Sequence, residues 1–170
     1  VKYDPYQHRK FLLDYYTGQF DSSMAKGQLF AFNEKTHDAR ISGTLASLVG
    51  LEKAIEIGDE SQIQNAIKRI LLLHSFIMSF GGIPLLYYGD EVGTTNDYSY
   101  LNNENKASDN RWMHRPILDW DRMDRRHELG SIEYQIFEGI KKLIALRKEI
   151  SAFSDFNNRE ILDVSNEHLF

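Results

Sequence analysis

The sequence contains no cysteine. That excludes a disulfide framework, a thiolate zinc site and a cysteine nucleophile, and it leaves the redox compartment open. Basic residues are not in excess either, with 20 Lys+Arg against 25 Asp+Glu and a formal net charge of -5. Such a balance gives no electrostatic motive for general binding to nucleic acid or to an anionic membrane, so a small neutral partner is the simpler expectation. No stretch reaches the roughly 20 apolar residues of a membrane span. The longest apolar region, 70–80, contains His74 and two serines and reads as a buried helix. No two histidines are spaced as HxxxH or HExxH, so no metal site is expected. Residues 97–109 are rich in oxygen ligands but lack the Asp/Asn alternation and the Gly of a calcium loop. GxSxG, GxGxxG and phosphate-loop patterns are absent, which leaves phosphate and nucleotide chemistry without a sequence motif. There is no internal repeat and no low-complexity tract. Val1 opens the chain without an initiator Met or a charged-then-apolar leader, so these residues argue for no particular compartment.

What is present describes a soluble globular protein: 170 residues, 42% hydrophobic and 26% charged. The chain is too short for two ordinary domains and long enough for one sizeable core. Aromatic side chains make up 12% and suit sugar-stacking surfaces as well as a core. Apolar positions Phe11, Leu12, Tyr15 and Tyr16 predict a helix over 7–19 that Gly18 ends, and 21–38 reads as a loop anchored by Leu29, Phe30 and Phe32. Ser42 is a candidate N-cap for a short helix through Leu51, and Asp59 for the longest one. In that helix Ile63, Ala66, Ile67, Ile70, His74, Ile77 and Met78 keep helical spacing, and the half after Ile70 is apolar on nearly every side, as in a helix that runs into an interior.

Gly81-Gly82 ends this helix, and 83–88 follows as an apolar run that reads as a strand buried on both faces, with Pro84 at its beginning. The polar segment 90–129 is far longer than the ~2–6 residues of an ordinary βα connection, which points to a functional loop. A last helix is predicted over 131–150, and 160–170 resembles strand material. One buried strand among about four helices needs a sheet whose other strands come from elsewhere. A (β/α)8 barrel takes ~250 residues. The expected fold class is therefore α/β, the C-terminal part of a TIM barrel over 1–153 leading into a truncated β-sandwich over 154–170. The alternative is a self-contained helical domain with one hairpin.

Asp90 and Glu91 leave the strand at the end that faces the active site in parallel α/β folds. Adjacent residues leaving a strand point to opposite faces and cannot flank a glycosidic bond, which needs opposed carboxyls ~5–9 Å apart, so the expected role is to anchor the loop backbone or an Arg. Residues 109–116 bring Asp109, Arg111, Trp112, His114 and Arg115 together, the planar donors, acceptors and aromatic face that a hydroxyl-rich ligand needs. A loop that only holds itself down uses the same residues. The run 121–126, with Arg122 and Arg125, reads as solvated salt-bridge surface, and His74 as a satisfied core histidine.

The segment GIPLLYYGDE at 82–91 resembles the eighth-strand motif of the α-amylase family of glycoside hydrolases. Its continuation VGTTND at 92–97, DNRWMHRP at 109–116 and RISGT at 40–44 resemble the amylosucrase-like branch, and the similarity runs along essentially the whole chain. The resemblance implies a barrel entered just after its seventh strand, with the nucleophile, the acid/base and the third catalytic acid all upstream of Val1, so that no residue here is catalytic. It implies that Arg111 closes a sucrose pocket by a salt bridge to an upstream Asp, beside Asp109, and that Arg40 lines the acceptor side. Asn110 stands where the family usually has Ser. By the same resemblance the parent enzyme cleaves sucrose with retention and passes glucose to an α-glucan or oligosaccharide, with no cofactor, as a bacterial-type soluble enzyme either cytoplasmic or secreted. The alternatives are a sucrose hydrolase or oligosaccharide α-glucosidase of the same family, or a helical interaction domain without catalysis.

Overall fold

A computed structural model describes residues 4–154. Helix α1 (Pro5–Tyr16) starts at the N-cap Asp4, whose carboxylate accepts from the backbone N–H groups of Tyr6 and Gln7. It is followed by an antiparallel hairpin, β1 (Gln28–Asn33) and β2 (Asp38–Ser42), where the sequence predicts a loop. The register pairs Leu29 with Ile41 and Phe30 with Arg40, then slips between Phe30 and Asn33. Ala31 takes a left-handed φ of 53° at this bulge, which disrupts the alternation that would have marked a strand. Asn33 Oδ1 accepts from the N–H groups of Lys35 and Thr36 and so builds the turn.

The short helix expected from Ser42 is two. Thr44, not Ser42, caps α2 (Leu45–Leu48), and Gly50 at φ 97° redirects the chain into α3 (Leu51–Ile57). Asp59 then caps α4 (Glu60–Ser79) as predicted, accepting from Gln62 N–H. Ser131 does the same for α6 (Ile132–Glu149), which packs along α4. The core lies between these helices: Ala46, Leu51, Ala54, Ile63, Ala66, Ile67, Ile70, Ile136 and Ile140 are all buried, with Leu86 packed against them. Gly139 of α6 faces Leu71 so closely that a Cβ there would lie 2.5 Å from Leu71 Cδ2, so the absent side chain sets how near the two helices come.

Two expectations differ from what is found here. The second half of α4 is interior on one face only, since His74 and Met78 are buried but Leu72, Leu73, Phe76 and Ile77 are exposed. Residues 83–88 form no strand and pair with none among the described residues, with Ile83 and Leu85 82–83% exposed. Ladder partners make a strand, and apolar composition alone does not supply them. Where the run begins, Arg147 of α6 donates to the carbonyls of Met78, Phe80 and Gly82, fastening the end of α4. The long segment after Gly89 is ordered in short pieces: single-turn helices at Asp90–Val92, Ser99–Asn102, Asn110–His114 and Arg125–His127, and α5 (Trp120–Asp124). The expected β-sandwich unit, apart from Ser154, lies outside the described residues, as does the strand expected over 160–170.

Candidate functional site

Asp109 caps the turn Asn110–His114, and its carboxylate then takes the neighbouring guanidinium in a two-point grip. Arg111 donates from Nε to Oδ1 at 2.8 Å and from a terminal nitrogen to Oδ2 at 2.7 Å. These hydrogen bonds hold the Asp109 carboxyl down at about 2 and push the Arg111 pKa up. The guanidinium carbon lies 4.7 Å from the centre of the Phe30 ring. Phe30 stands opposite Arg40 in the hairpin register, and directly opposed residues share a face of the ladder. Arg111 thus lies over Phe30 with Asp109 gripping it, and Arg40 stands across the ladder from the same aromatic residue. Arg111 is 44% exposed, and its carboxylate partner is Asp109, two positions back.

Asparagine side chains make this gathering possible. Asn110 donates to the carbonyl of Leu29 at 2.6 Å and accepts from the Ser42 hydroxyl at 3.0 Å, joining the turn to both strands. Asn96 accepts from Thr44 N–H at 2.8 Å and donates to the carbonyl of Lys26 at 2.6 Å. The next residue, Asp97, donates its N–H to the carbonyl of Met113 at 2.8 Å. Segments 40–44, 92–97 and 109–116 are therefore one hydrogen-bonded unit.

Beneath it is a buried acid that sequence reasoning passes over. Glu52 accepts from the Ser47 hydroxyl, from Asn96 N–H at 3.3 Å and from the Tyr98 hydroxyl at 2.8 Å, and it pairs with Lys26 at 2.8 Å. Burial works to lower the Lys26 pKa, but the carboxylates of Glu52 and Glu56 outweigh it and raise it. The available signal was an acid directly after the apolar run 48–51, a position that a helix of this amphipathicity buries.

Asp90 and Glu91 do not anchor the loop as expected. Neither carboxylate accepts a hydrogen bond among the described residues, and the loop is held instead by backbone bonds from Val92 and Thr94 N–H to the carbonyl of Gly89. Burial pushes the Asp90 carboxyl up to about 6; His74 opposes this and Glu91 adds to it. The buried His74 itself bonds through Nδ1 to the Ile70 carbonyl, at 2.8 Å. Consecutive positions on one tight turn do not oppose each other across a ligand, so this pair is unsuited to cleaving a glycosidic bond.

Arg122 is not solvated surface. It donates to Glu133 Oε1 at 3.0 Å and to the carbonyl of Gly93 at 3.0 Å, and Glu133 is almost wholly buried. Among the described residues no three His, Asp or Glu side chains converge as metal ligands, and no helix is long and apolar enough to cross a membrane. A cavity of about 470 Å³ between the end of α4 and α6 is lined by Met78, Ile83, Leu86 and Ile144, without a carboxylate, and includes none of Arg111, Asp109 or Arg40.

No protein-family profile matches the chain. It is 26% identical over 100 residues to glucosylglycerate phosphorylase of Escherichia coli (strain K12), a match covering 58% of this chain and 17% of that protein. It is 33% identical over 86 residues to cyclomaltodextrinase of Geobacillus thermopakistaniensis (strain MAS1), covering 51% of this chain and 11% of that protein. The matched region is thus less than a fifth of either relative's length, and the similarity is to enzymes whose names denote action on glucosyl compounds.

Proposed function

We propose that the chain is a portion of an α-glucoside-acting enzyme of the α-amylase family, the C-terminal part of its barrel, contributing sugar recognition and not the carboxylates that break the bond. The observation that carries this reading is the single unit formed by segments 40–44, 92–97 and 109–116, in which Arg111, gripped by Asp109, lies over Phe30 and Arg40 stands opposite Phe30 in the hairpin register. Guanidiniums fixed by a carboxylate and set beside an aromatic face are the groups that hydroxyl-rich ligands need. The names of the two relatives agree with a glucosyl substrate. The finer reading is an amylosucrase-like retaining transferase, with sucrose as donor and an α-glucan or oligosaccharide as acceptor, the acceptor competing with water for a glucosyl-enzyme. It rests on the GDEVGTxND and DxRWxHRP resemblance alone.

The test compares this chain with the polypeptide of the complete reading frame. Both are incubated with sucrose, maltooligosaccharides and cyclomaltodextrin, with and without phosphate, and fructose, glucose and glucose 1-phosphate are measured. The expected result is turnover by the longer polypeptide and none by the chain alone. Fructose released from sucrose with glucan extension supports the amylosucrase-like reading, whereas turnover restricted to the other substrates leaves only the α-glucoside reading. Activity of the chain alone that one carboxylate substitution abolishes overturns both.

A further inference from the structure

The turns Ser99–Asn102 and Asn110–His114 pack against each other and border a cavity of about 230 Å³ beside Trp112. Two cations line it. Lys106 Nζ lies 4.2 Å from the centre of the Trp112 ring, and the Arg115 guanidinium carbon 5.8 Å from the same ring. Neither cation has a carboxylate within 4.0 Å among the described residues, and neither side chain donates a hydrogen bond there. The other charged group in the lining is Asp97, whose Oδ1 already accepts from Ser99 N–H at 2.8 Å. Two positive charges against one negative leave the cavity net positive, in a chain whose overall charge is -5.

Its walls are fixed. Asp97 N–H bonds to the carbonyl of Met113 at 2.8 Å, and the buried Tyr100 donates to Gln28 Oε1 at 3.0 Å. The ammonium and guanidinium donors are therefore held over a concave floor without having been used up by the fold. Ligand pockets for drug-sized molecules run from about 300 Å³ upward, so this one suits a handful of heavy atoms and is too small for a disaccharide.

We propose that the cavity between Lys106, Arg115 and Trp112 binds the oxyanion of a small hydroxylated molecule, a carboxylate or a phosphate ester, with Lys106 and Arg115 as its donors. Phosphate recognition needs no phosphate loop here, because side chains supply the charge that a glycine-rich backbone supplies elsewhere. Lys106 is the mobile partner: its contact with the indole is a single cation–π pair, and an oxyanion competes for the ammonium. Arg115 provides the planar two-point contact. The free oxygen of Asp97 and the Ser99 hydroxyl then face the hydroxyl groups of the ligand.

The experiment uses the 170-residue chain carrying Trp120→Phe, so that Trp112 is the single emitter, at sub-micromolar concentration and constant ionic strength. D-glycerate, glycerol 3-phosphate and inorganic phosphate are titrated, with glycerol and potassium chloride as controls, and circular dichroism verifies folding of each variant. The expected result is a saturable change in Trp112 emission with at least one oxyanion and none with glycerol or chloride. Lys106→Gln and Arg115→Gln each weaken it about tenfold, and Asp97→Asn tightens it. Saturation by glycerate alone assigns a carboxylate ligand, and by glycerol 3-phosphate or phosphate alone a phosphoryl ligand. No saturable change with any oxyanion, an equal response to glycerol, or affinities untouched by both cation substitutions overturns the proposal. None of these results depends on whether the chain belongs to a glucoside-acting enzyme.

Discussion

The Tyr98 hydroxyl donates to Glu52 Oε1 over 2.8 Å, although the two residues lie 46 positions apart in the chain. Tyr98 lies two positions after Asn96, which bonds to the same carboxylate through its N–H, so the α3 acid fixes the loop that carries the GDEVGTxND resemblance. Lys26, Ser47 and Thr44 complete the cluster. Satisfied in this way, a buried carboxylate specifies one arrangement of its neighbours; with a partner removed it becomes a penalty.

Glu52→Gln therefore destabilises the chain by about 3 kcal/mol, because an amide offers donors where four donors converge and leaves Lys26 without its inner partner. Glu56→Gln, at the exposed end of the same lysine, changes stability by less than about 1 kcal/mol. Urea denaturation midpoints distinguish the two, and equal effects would refute the distinction.

Arg122→Ala removes the donor to the buried Glu133 together with the bond to the Gly93 carbonyl. The expected loss is about 3 kcal/mol, at the lower end for a broken buried pair because Arg125 remains 3.4 Å from the other carboxylate oxygen. Lysine restores little of it, since an ammonium cannot span both acceptors. Arg126→Ala is the comparison: its ion-pair partner Asp124 is exposed, but it also donates to the Met123 carbonyl, so a smaller loss is expected. Thermal melts in which Arg126→Ala lowers the Tm more than Arg122→Ala would contradict the burial argument.

Asp90 keeps its proton in the folded chain to about pH 6, because burial penalises the charge, whereas an unfolded Asp releases it near pH ~3.9. The stabilisation tied to this group is thus complete below about pH 4 and is lost as pH rises through about 6. Asp90→Asn removes that slope. The variant is expected to match the parent at pH 3.5 and exceed it at pH 7.5 by about 1–2 kcal/mol, less than the full two-unit shift because the group is partly solvated. Chemical denaturation at the two pH values checks the sign.

For Arg111 the expected signature is a titration. Asp109 titrates at about 2 while Arg111 grips it, and in Arg111→Ala its carboxyl moves up toward the ordinary range near ~4. Arg111→Lys recovers only part of the depression. Carboxyl-carbon NMR across the acid range measures both, and an Asp109 titration unchanged in Arg111→Ala would show that the grip is not maintained in solution.

The apolar groups Leu72, Phe76, Ile83 and Leu85 stand exposed, and the run 83–88 has no ladder partner among the described residues. Both promote association. Sedimentation of the chain is expected to show concentration-dependent oligomers, and Leu85→Lys to shift them toward monomer. A monodisperse parent chain would favour the self-contained domain.

Helices were legible in the sequence because two local signals coincide, a 3.6-residue apolar period and a capping side chain, as at Asp59 and Ser131. The hairpin was not: Phe30 and Phe32 flank a bulge at left-handed Ala31, and alternation fails there. Residues 83–88 show the opposite failure, since four consecutive apolar residues look like a buried strand whether or not a ladder partner is near. Arg111 was given an upstream partner by the resemblance, and its grip on Asp109 belongs to the alternative of a loop that holds itself down. Glu52 and Asn96 could not be paired from the sequence, because their partners come from distant segments and a single acid after an apolar run does not name them. A run of alternating charges such as 121–126 likewise reads the same facing water or facing Glu133.

The bonds from Asn96 to the Lys26 carbonyl and from Asn110 to the Leu29 carbonyl span 70 and 81 positions. On a ribosome adding about 5–20 residues per second, the hairpin, complete at Ser42, is made roughly 3–14 s before the asparagines that fasten it. During that interval β1 and β2 are a two-stranded ribbon with only α1 against β2, and two-stranded ribbons are marginal in water. The asparagines thus act as late closures on a hairpin that is among the first parts of the described fold to be translated.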